Sequence, residues 1–214
     1  LVFMNYQEVL DMMKKIQDHM LTFIEREDNI EENFLDLQQI FIDYKIKESK
    51  QLIISTLHLI TDIANNCYRG ANFFDKIFKI ILIFQNQIKQ SFLNSEIYNI
   101  FSSNKRLLLF LIEEKILIID KYIYNIISSE EDDYFQYFYP EIEPFIQEDN
   151  ENKNNKCEIN ENFYSKRKIG ENDEYICQLI QKDSIEDFIT HYHKTNFSLK
   201  DKINKSIFET NSFL

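Results

Sequence analysis

The feature that most constrains this chain is a helix pair written twice, 78 positions apart. Ser95-Glu96 aligns with Asp173-Glu174, in each case a helix-capping residue followed by an acid suited to a first turn. The apolar positions then agree: Ile97 with Tyr175, Tyr98 with Ile176, Phe101 with Leu179. They go on agreeing across a polar break, Leu107 with Ile185, Phe110 with Phe188 and Leu111 with Ile189. A short helix, a polar turn and a second helix of this size form the unit of a stacked array, because one such pair cannot bury its apolar face alone. Arrays of this kind bind other proteins, through surfaces that run along several units.

Composition supports helices and removes several functions. Only two glycines (Gly70, Gly170) and two prolines (Pro140, Pro144) occur in 214 residues, too few for a sandwich or barrel full of tight turns. Hydrophobic residues make up 44%, enough for a core without disulfide or metal staples. The net charge of −12 argues against nucleic acid, whose phosphates need clustered Lys and Arg. The only basic cluster, Lys166-Arg167-Lys168, is too short to change that. The same balance disfavours anionic membrane surfaces.

No apolar run reaches the roughly 18 residues of a membrane span. The best candidate, residues 107–119, is interrupted by Glu113, Glu114 and Lys115. No basic stretch precedes an apolar one at the N-terminus, so no signal peptide is expected. Three scattered cysteines (Cys67, Cys157, Cys177) suit a reducing compartment, and the expected location is cytoplasmic. The chain opens Leu1-Val2-Phe3 before its first Met4 and closes on Phe213-Leu214, which reads as a piece of something longer.

Along the chain, Val9, Met13, Ile16, Met20 and Phe23 step by four and three residues, one apolar helix stripe. Ile30, Phe34, Leu37, Phe41 and Tyr44 repeat those steps. Asp28-Asn29, with Glu31 and Glu32 after them, is expected to stop the first helix and cap the second, giving a hairpin over 4–26 and 30–48. A third helix is expected over 50–65, striped by Ile53, Leu57, Ile60 and Ala64. A fourth, capped by Asn72, carries Phe73, Ile77, Ile80, Ile81, Phe84 and Ile88 and is apolar on more than one side, which makes it central. The first copy of the pair spans 95–117, and another helical stretch covers 118–127. Glu130 to Asp133 reads as a solvated acidic turn. Tyr134 to Phe145 is aromatic and bounded by proline, and 148–162 is polar and reads as a disordered insertion. The second copy occupies 173–194.

The strings Ser95-Glu96-Ile97-Tyr98-Asn99-Ile100-Phe101 and Asn104-Lys105-Arg106-Leu107-Leu108-Leu109-Phe110-Leu111-Ile112-Glu113 resemble the helix pair of a degenerate ankyrin repeat. The chain is similar to the N-terminal region of a large protist family of ankyrin-repeat proteins that contains a domain of unknown function. The likeness extends through Glu27-Asp28-Asn29-Ile30-Glu31-Glu32-Asn33-Phe34, Tyr137-Phe138-Tyr139-Pro140-Glu141-Ile142, Arg167-Lys168-Ile169-Gly170-Glu171-Asn172-Asp173 and Glu209-Thr210-Asn211-Ser212-Phe213-Leu214. It covers nearly the whole chain. The resemblance implies no catalytic activity and a role in protein–protein interaction, with better-formed repeats following a segment like the last one. Both copies lack the Thr-Pro-Leu-His turn that opens a standard repeat, and Lys115 and Lys194 sit near the place of the glycine that usually ends its second helix. A period near 33 residues leaves room for a middle unit between the copies, although Pro140 falls where its second helix should begin.

Chemical constellations are weak. His191 and His193 with Cys177 suggest zinc, but residues two apart on a helix point to different faces. Cys67 with His58 suggests a thiol nucleophile, yet no activating helix terminus or oxyanion loop accompanies them. No glycine-rich phosphate loop exists, and Glu130 to Asp133 lacks the alternating ligands of a calcium loop. No catalytic residue, metal ligand or cofactor site is expected, and the chain is not expected to be an enzyme. The segment with most promise for a partner is aromatic: Tyr134, Phe135, Tyr137, Phe138 and Tyr139. Aromatic stripes are more often core, however, and the favoured expectation is that the same side chains tuck beneath the polar insertion and cap the array.

The expected fold is therefore all-α, an array of antiparallel helix pairs with degenerate ankyrin-like repeats in the C-terminal half. Four segments are expected: an N-terminal helical region (1–92), the first ankyrin-like pair with the aromatic segment (93–147), the polar insertion (148–168), and the second pair leading into further repeats (169–214). The expected function is a scaffold that binds an unspecified protein and caps the N-terminal end of an ankyrin array. The alternative is a helical subunit that docks into a larger assembly through its first two amphipathic helices.

Overall fold

A computed structural model describes residues 6–67, 72–129, 132–148, 159, 162–169, 175–181, 184–195 and 207–208. Among them lie thirteen α-helices and one 3-10 turn, with no strand. The chain divides into two compact units between Ile118 and Ile119. The expected boundary at 92/93 has no counterpart in this division: the first copy of the pair belongs with the N-terminal helices, the second copy with the other unit.

In the first unit α1 (Tyr6–Glu25) and α2 (Ile30–Asp43) form the expected hairpin. Its stripes face inward: Ile16, Met20 and Phe23 on α1 and Leu37 and Phe41 on α2 are buried. Met12 is buried where Met13 was expected, and Met13 is only half-buried. Asn29 marks the turn, but not as a side-chain cap. It adopts a left-handed conformation (φ 51°) and makes no capping bond; instead Asn33 Nδ2 donates to the Asp28 carbonyl at 3.0 Å. The free carbonyls at the end of α1 are met from a distant helix, because Lys76 Nζ donates to Ile24 O (2.9 Å) and Arg26 O (2.8 Å) with Glu27 at 3.8 Å. A buried ammonium is tolerated there because three oxygens replace its water and it lies at the negative end of the helix dipole.

A 3-10 turn (Ile46–Glu48) leads to α3 (Lys50–Asn66), capped by Ser49, whose Oγ accepts from Leu52 N at 3.4 Å. The expected fourth helix is two: α4 (Phe73–Leu82) and α5 (Gln85–Ser91). Between them Ile83 N and Phe84 N bond to carbonyls only three residues back, Ile80 O and Ile81 O. The tightened turn brings the Phe84 ring edge-on to Phe41 at 5.0 Å, so tertiary packing sets the break and no glycine or proline marks it. The unit ends with α6 (Asn94–Phe101) and α7 (Lys105–Glu113). Every residue of α7 from Lys105 to Leu111 is buried, so α7 is more central than α4. Its Phe110 ring stacks on Phe78 of α4 at 4.0 Å, with the Arg106 guanidinium 4.9 Å from the Phe78 ring centre.

The second unit holds α8 (Lys121–Ser129), α9 (Asp132–Tyr137), α10 (Tyr139–Glu148), α11 (Phe163–Ile169), α12 (Tyr175–Gln181) and α13 (Ile185–Thr195). Asp120 caps α8, its Oδ1 accepting from Ile123 N at 2.9 Å. Asp132 and Asp133 open α9, while Glu130 and Glu131 lie outside the described residues. Pro140 is the second residue of α10, where a missing N–H leaves no helical bond unmade. The polar tract expected over 148–162 lies mostly outside the described residues, as do Asp173 and Glu174. Among the described residues no helix is long and apolar enough to cross a membrane.

Candidate interaction surface

The two copies of the repeated pair allow one sequence pattern to be compared in two settings. In the first, α6 begins two residues earlier than expected, with Leu93 and not Ser95 at the cap position. Ser95 lies inside it, and the capping group is Glu96, whose carboxylate accepts from Leu93 N at 2.8 Å. Glu96 also pairs with Lys50 Nζ of α3 at 2.8 Å. The Lys50 bond, then the Leu93 bond, hold this carboxyl below the usual carboxylate range. The polar turn is built on buried Asn104: its Oδ1 accepts from Leu107 N (3.0 Å) and its Nδ2 donates to Asn65 Oδ1 (2.8 Å). Asn65 in turn donates to Ser103 Oγ at 2.9 Å, tying α3 to the turn.

In the second copy α12 packs on α13, and Ser184 replaces Asn104 at the turn. Its backbone N–H reaches Leu179 O at 3.0 Å, its carbonyl accepts from Phe188 N at 2.9 Å, and its hydroxyl donates to Asp187 at 2.7 Å. Helix α13 starts 80 positions after α7, two more than the repeat offset, so Ile185 opens its helix whereas Leu107 lies two residues inside. The inner positions keep their burial: Tyr98 and Ile176, Phe101 and Leu179 are all buried. The outer ones do not. Leu107 and Leu111 are fully buried and Ile97 is 3% exposed, but Ile185 is 63%, Ile189 49% and Tyr175 53% exposed. Ile185, Phe188, Ile189 and Tyr192 form an i, i+3, i+4, i+7 stripe, yet α13 has no buried residue. Covering the exposed parts of Ile185 and Ile189 would contribute about 2 kcal/mol.

The aromatic segment lies elsewhere. Tyr137, Phe138 and Tyr139 are buried in the second unit, and Tyr134 and Phe135 are half-buried beside them. Three of the five side chains thus belong to this unit's core. Their companion is Arg167, the largest fully buried side chain described, which its sequence surroundings do not single out. Its Nη2 donates to Glu141 Oε1 at 2.8 Å, and the rings of Tyr137 and Phe163 lie 5.2 and 5.3 Å from its guanidinium carbon. Nothing in Lys166-Arg167-Lys168 distinguishes the middle residue, except that Phe163 stands one helical turn before it.

The nucleophile and zinc readings gain nothing from the geometry. Burial first, and the Glu25 carboxylate second, push the Cys67 thiol up, which works against a thiolate. His191 is half-buried with its ring edge on Tyr175 at 5.0 Å, and His193 is exposed. Among the described residues no three His, Cys, Asp or Glu side chains are grouped to hold a metal ion. No family model matches this chain, and neither a curated protein nor a solved structure matches it.

Proposed function

We propose that this chain is a non-catalytic protein–protein interaction scaffold in which the α12–α13 pair is open to receive a further helical element. One observation carries the reading: an amphipathic stripe, Ile185, Phe188, Ile189 and Tyr192, stands without a buried member, while the counterparts of its first three residues on α7, Leu107, Phe110 and Leu111, are all buried. Single exposed aliphatic residues are ordinary on a protein surface. Here the same sequence pattern serves as its own control, and what differs between the copies is the cover. In a stacked array the end unit has one neighbour only, so an open apolar face marks the side on which stacking continues. The resemblance to degenerate ankyrin pairs, and to the N-terminal region of the protist ankyrin-repeat proteins, supports a capping role of this kind. The alternative, docking through residues 4–48, has less support, because Ile16, Met20, Phe23, Leu37 and Phe41 are buried within the first unit.

The test is quantitative affinity capture from extracts of the source organism with three baits: the chain itself, an Ile185→Asp/Ile189→Asp double variant, and a Leu35→Asp/Ile42→Asp control. All four positions are exposed, so each substitution changes stability by only about 0.5 kcal/mol. Partners held by the chain and the control but lost with the α13 variant are expected. An identical set on all three baits overturns the reading.

A further inference from the structure

Helix α11 touches two parts of the second unit that are far apart in sequence. It is fixed to α9 and α10. Arg167 Nη2 donates to Glu141 Oε1 of α10 at 2.8 Å, and Tyr137 Oη of α9 donates to the Arg167 carbonyl at 3.0 Å. The guanidinium is held between the rings of Tyr137 and Phe163. Its Nε and Nη1 are buried without hydrogen-bond partners, and those two π faces offset part of that loss. The helix is also met by Phe208. The Phe208 ring lies edge-on to Phe163 at 5.6 Å, with Lys166 Nζ 5.6 Å from its centre. The chain therefore leaves α11 at Ile169, carries α12 and α13, and comes back to α11 at Phe208, which is buried.

We propose that α11 is a latch: it pins both ends of the excursion that carries the α12–α13 pair and fixes that pair to α9–α10. Closing a long loop at its neck removes conformational freedom from everything between the closure points. The neck uses one charged residue in an aromatic setting where apolar residues would pack as well, and an arginine there fixes a single seat, because its planar group must meet both Glu141 and the two rings. The pair is in this way presented as one body, whatever occupies its open face. The latch does not depend on the existence of a partner.

Hydrogen exchange of the 214-residue chain, read by mass spectrometry, tests it with two variants. Arg167→Met keeps an apolar stem and removes the charge; Phe208→Ala opens the other end of the neck without disturbing Glu141. Each is expected to speed exchange in α12 and α13 by about tenfold or more while α8 keeps its wild-type rates. If Arg167→Met fails to fold, Phe208→Ala still decides. Wild-type exchange in α12–α13 of the Phe208→Ala variant, or an equal acceleration in α8, overturns the proposal.

Discussion

Two side chains at the ends of α7 show how single residues set this fold. Asn104 caps the helix and also bonds Asn65, so Asn104→Ala removes a cap and takes one partner from the half-buried Asn65 amide. The expected loss is about 2 kcal/mol, read as a lower urea midpoint at unchanged slope. A loss below about 0.5 kcal/mol would mean that solvent satisfies the turn instead. At the other end Lys115 is left-handed (φ 53°), Lys115 N bonds to Ile112 O and Ile116 N to Leu111 O, and Ile116 is buried. This is the Schellman arrangement in which glycine is favoured, with lysine in its place. Lys115→Gly relieves the Cβ clash, and a gain of about 0.5–1 kcal/mol is expected from the same melts. Lys45 is likewise left-handed (φ 52°) at the end of α2, with its N–H bonded to Ile42 O and buried Ile46 after it. Sequence located the place of the missing glycine but could not reveal the conformation, because a lysine carries no left-handed signal. Asn29 and Asn72 taught the opposite lesson. They fall at the expected boundaries, but act through a left-handed backbone and not through their side chains.

Among the elements, α1, α2, α3 and α6 were legible because each carries one apolar stripe with polar punctuation, and α7 because its apolar run follows the polar turn at Asn104. The break between α4 and α5 was not, since the stripe runs unbroken from Phe73 to Ile88 and only the seat of Phe84 against Phe41 shortens the turn. How α6 is joined to α3 leads to a pH prediction. The bonds from Lys50 and Leu93 hold the Glu96 carboxyl below the usual carboxylate range, so the folded state favours the ionised form. A depressed folded value gives stability that is present above the unfolded carboxylate range and lost as pH falls through the folded value. Glu96→Gln should therefore melt below the wild type at pH 7, and the gap should close as pH falls from about 5 toward 3. A gap that stays constant over that range would assign the effect to packing and not to charge.

At the scale of the whole molecule, the division into two compact units falls where composition gives no sign of it. Composition makes the polar tract 148–162 the most visible break, yet the two compact units part between Ile118 and Ile119, in the apolar run Ile116-Leu117-Ile118-Ile119. A unit boundary is set by where long-range packing ends, and a run of isoleucine and leucine is written the same way on either side of it. The open face of α13 was hidden for the same reason. Ile185 and Ile189 match Leu107 and Leu111 in kind, and only the presence or absence of a covering element separates them. Charge is the one global property that the composition states outright. With a net charge of −12 and exposed ion pairs such as Lys50–Glu96 and Lys79–Glu31 that each contribute little, the folded chain repels itself more than the expanded one. Raising NaCl from about 10 to 150 mM shortens the screening length from about 30 to 8 Å, which weakens that repulsion at the separations typical of surface charges. The melting temperature at pH 7 should consequently rise by a few degrees over that range, since ~1 kcal/mol moves the midpoint of a domain this size by about 2–4 °C. A melting temperature that falls with salt would mean that favourable pairing outweighs the excess charge, and the acidic surface would then be organised instead of merely abundant.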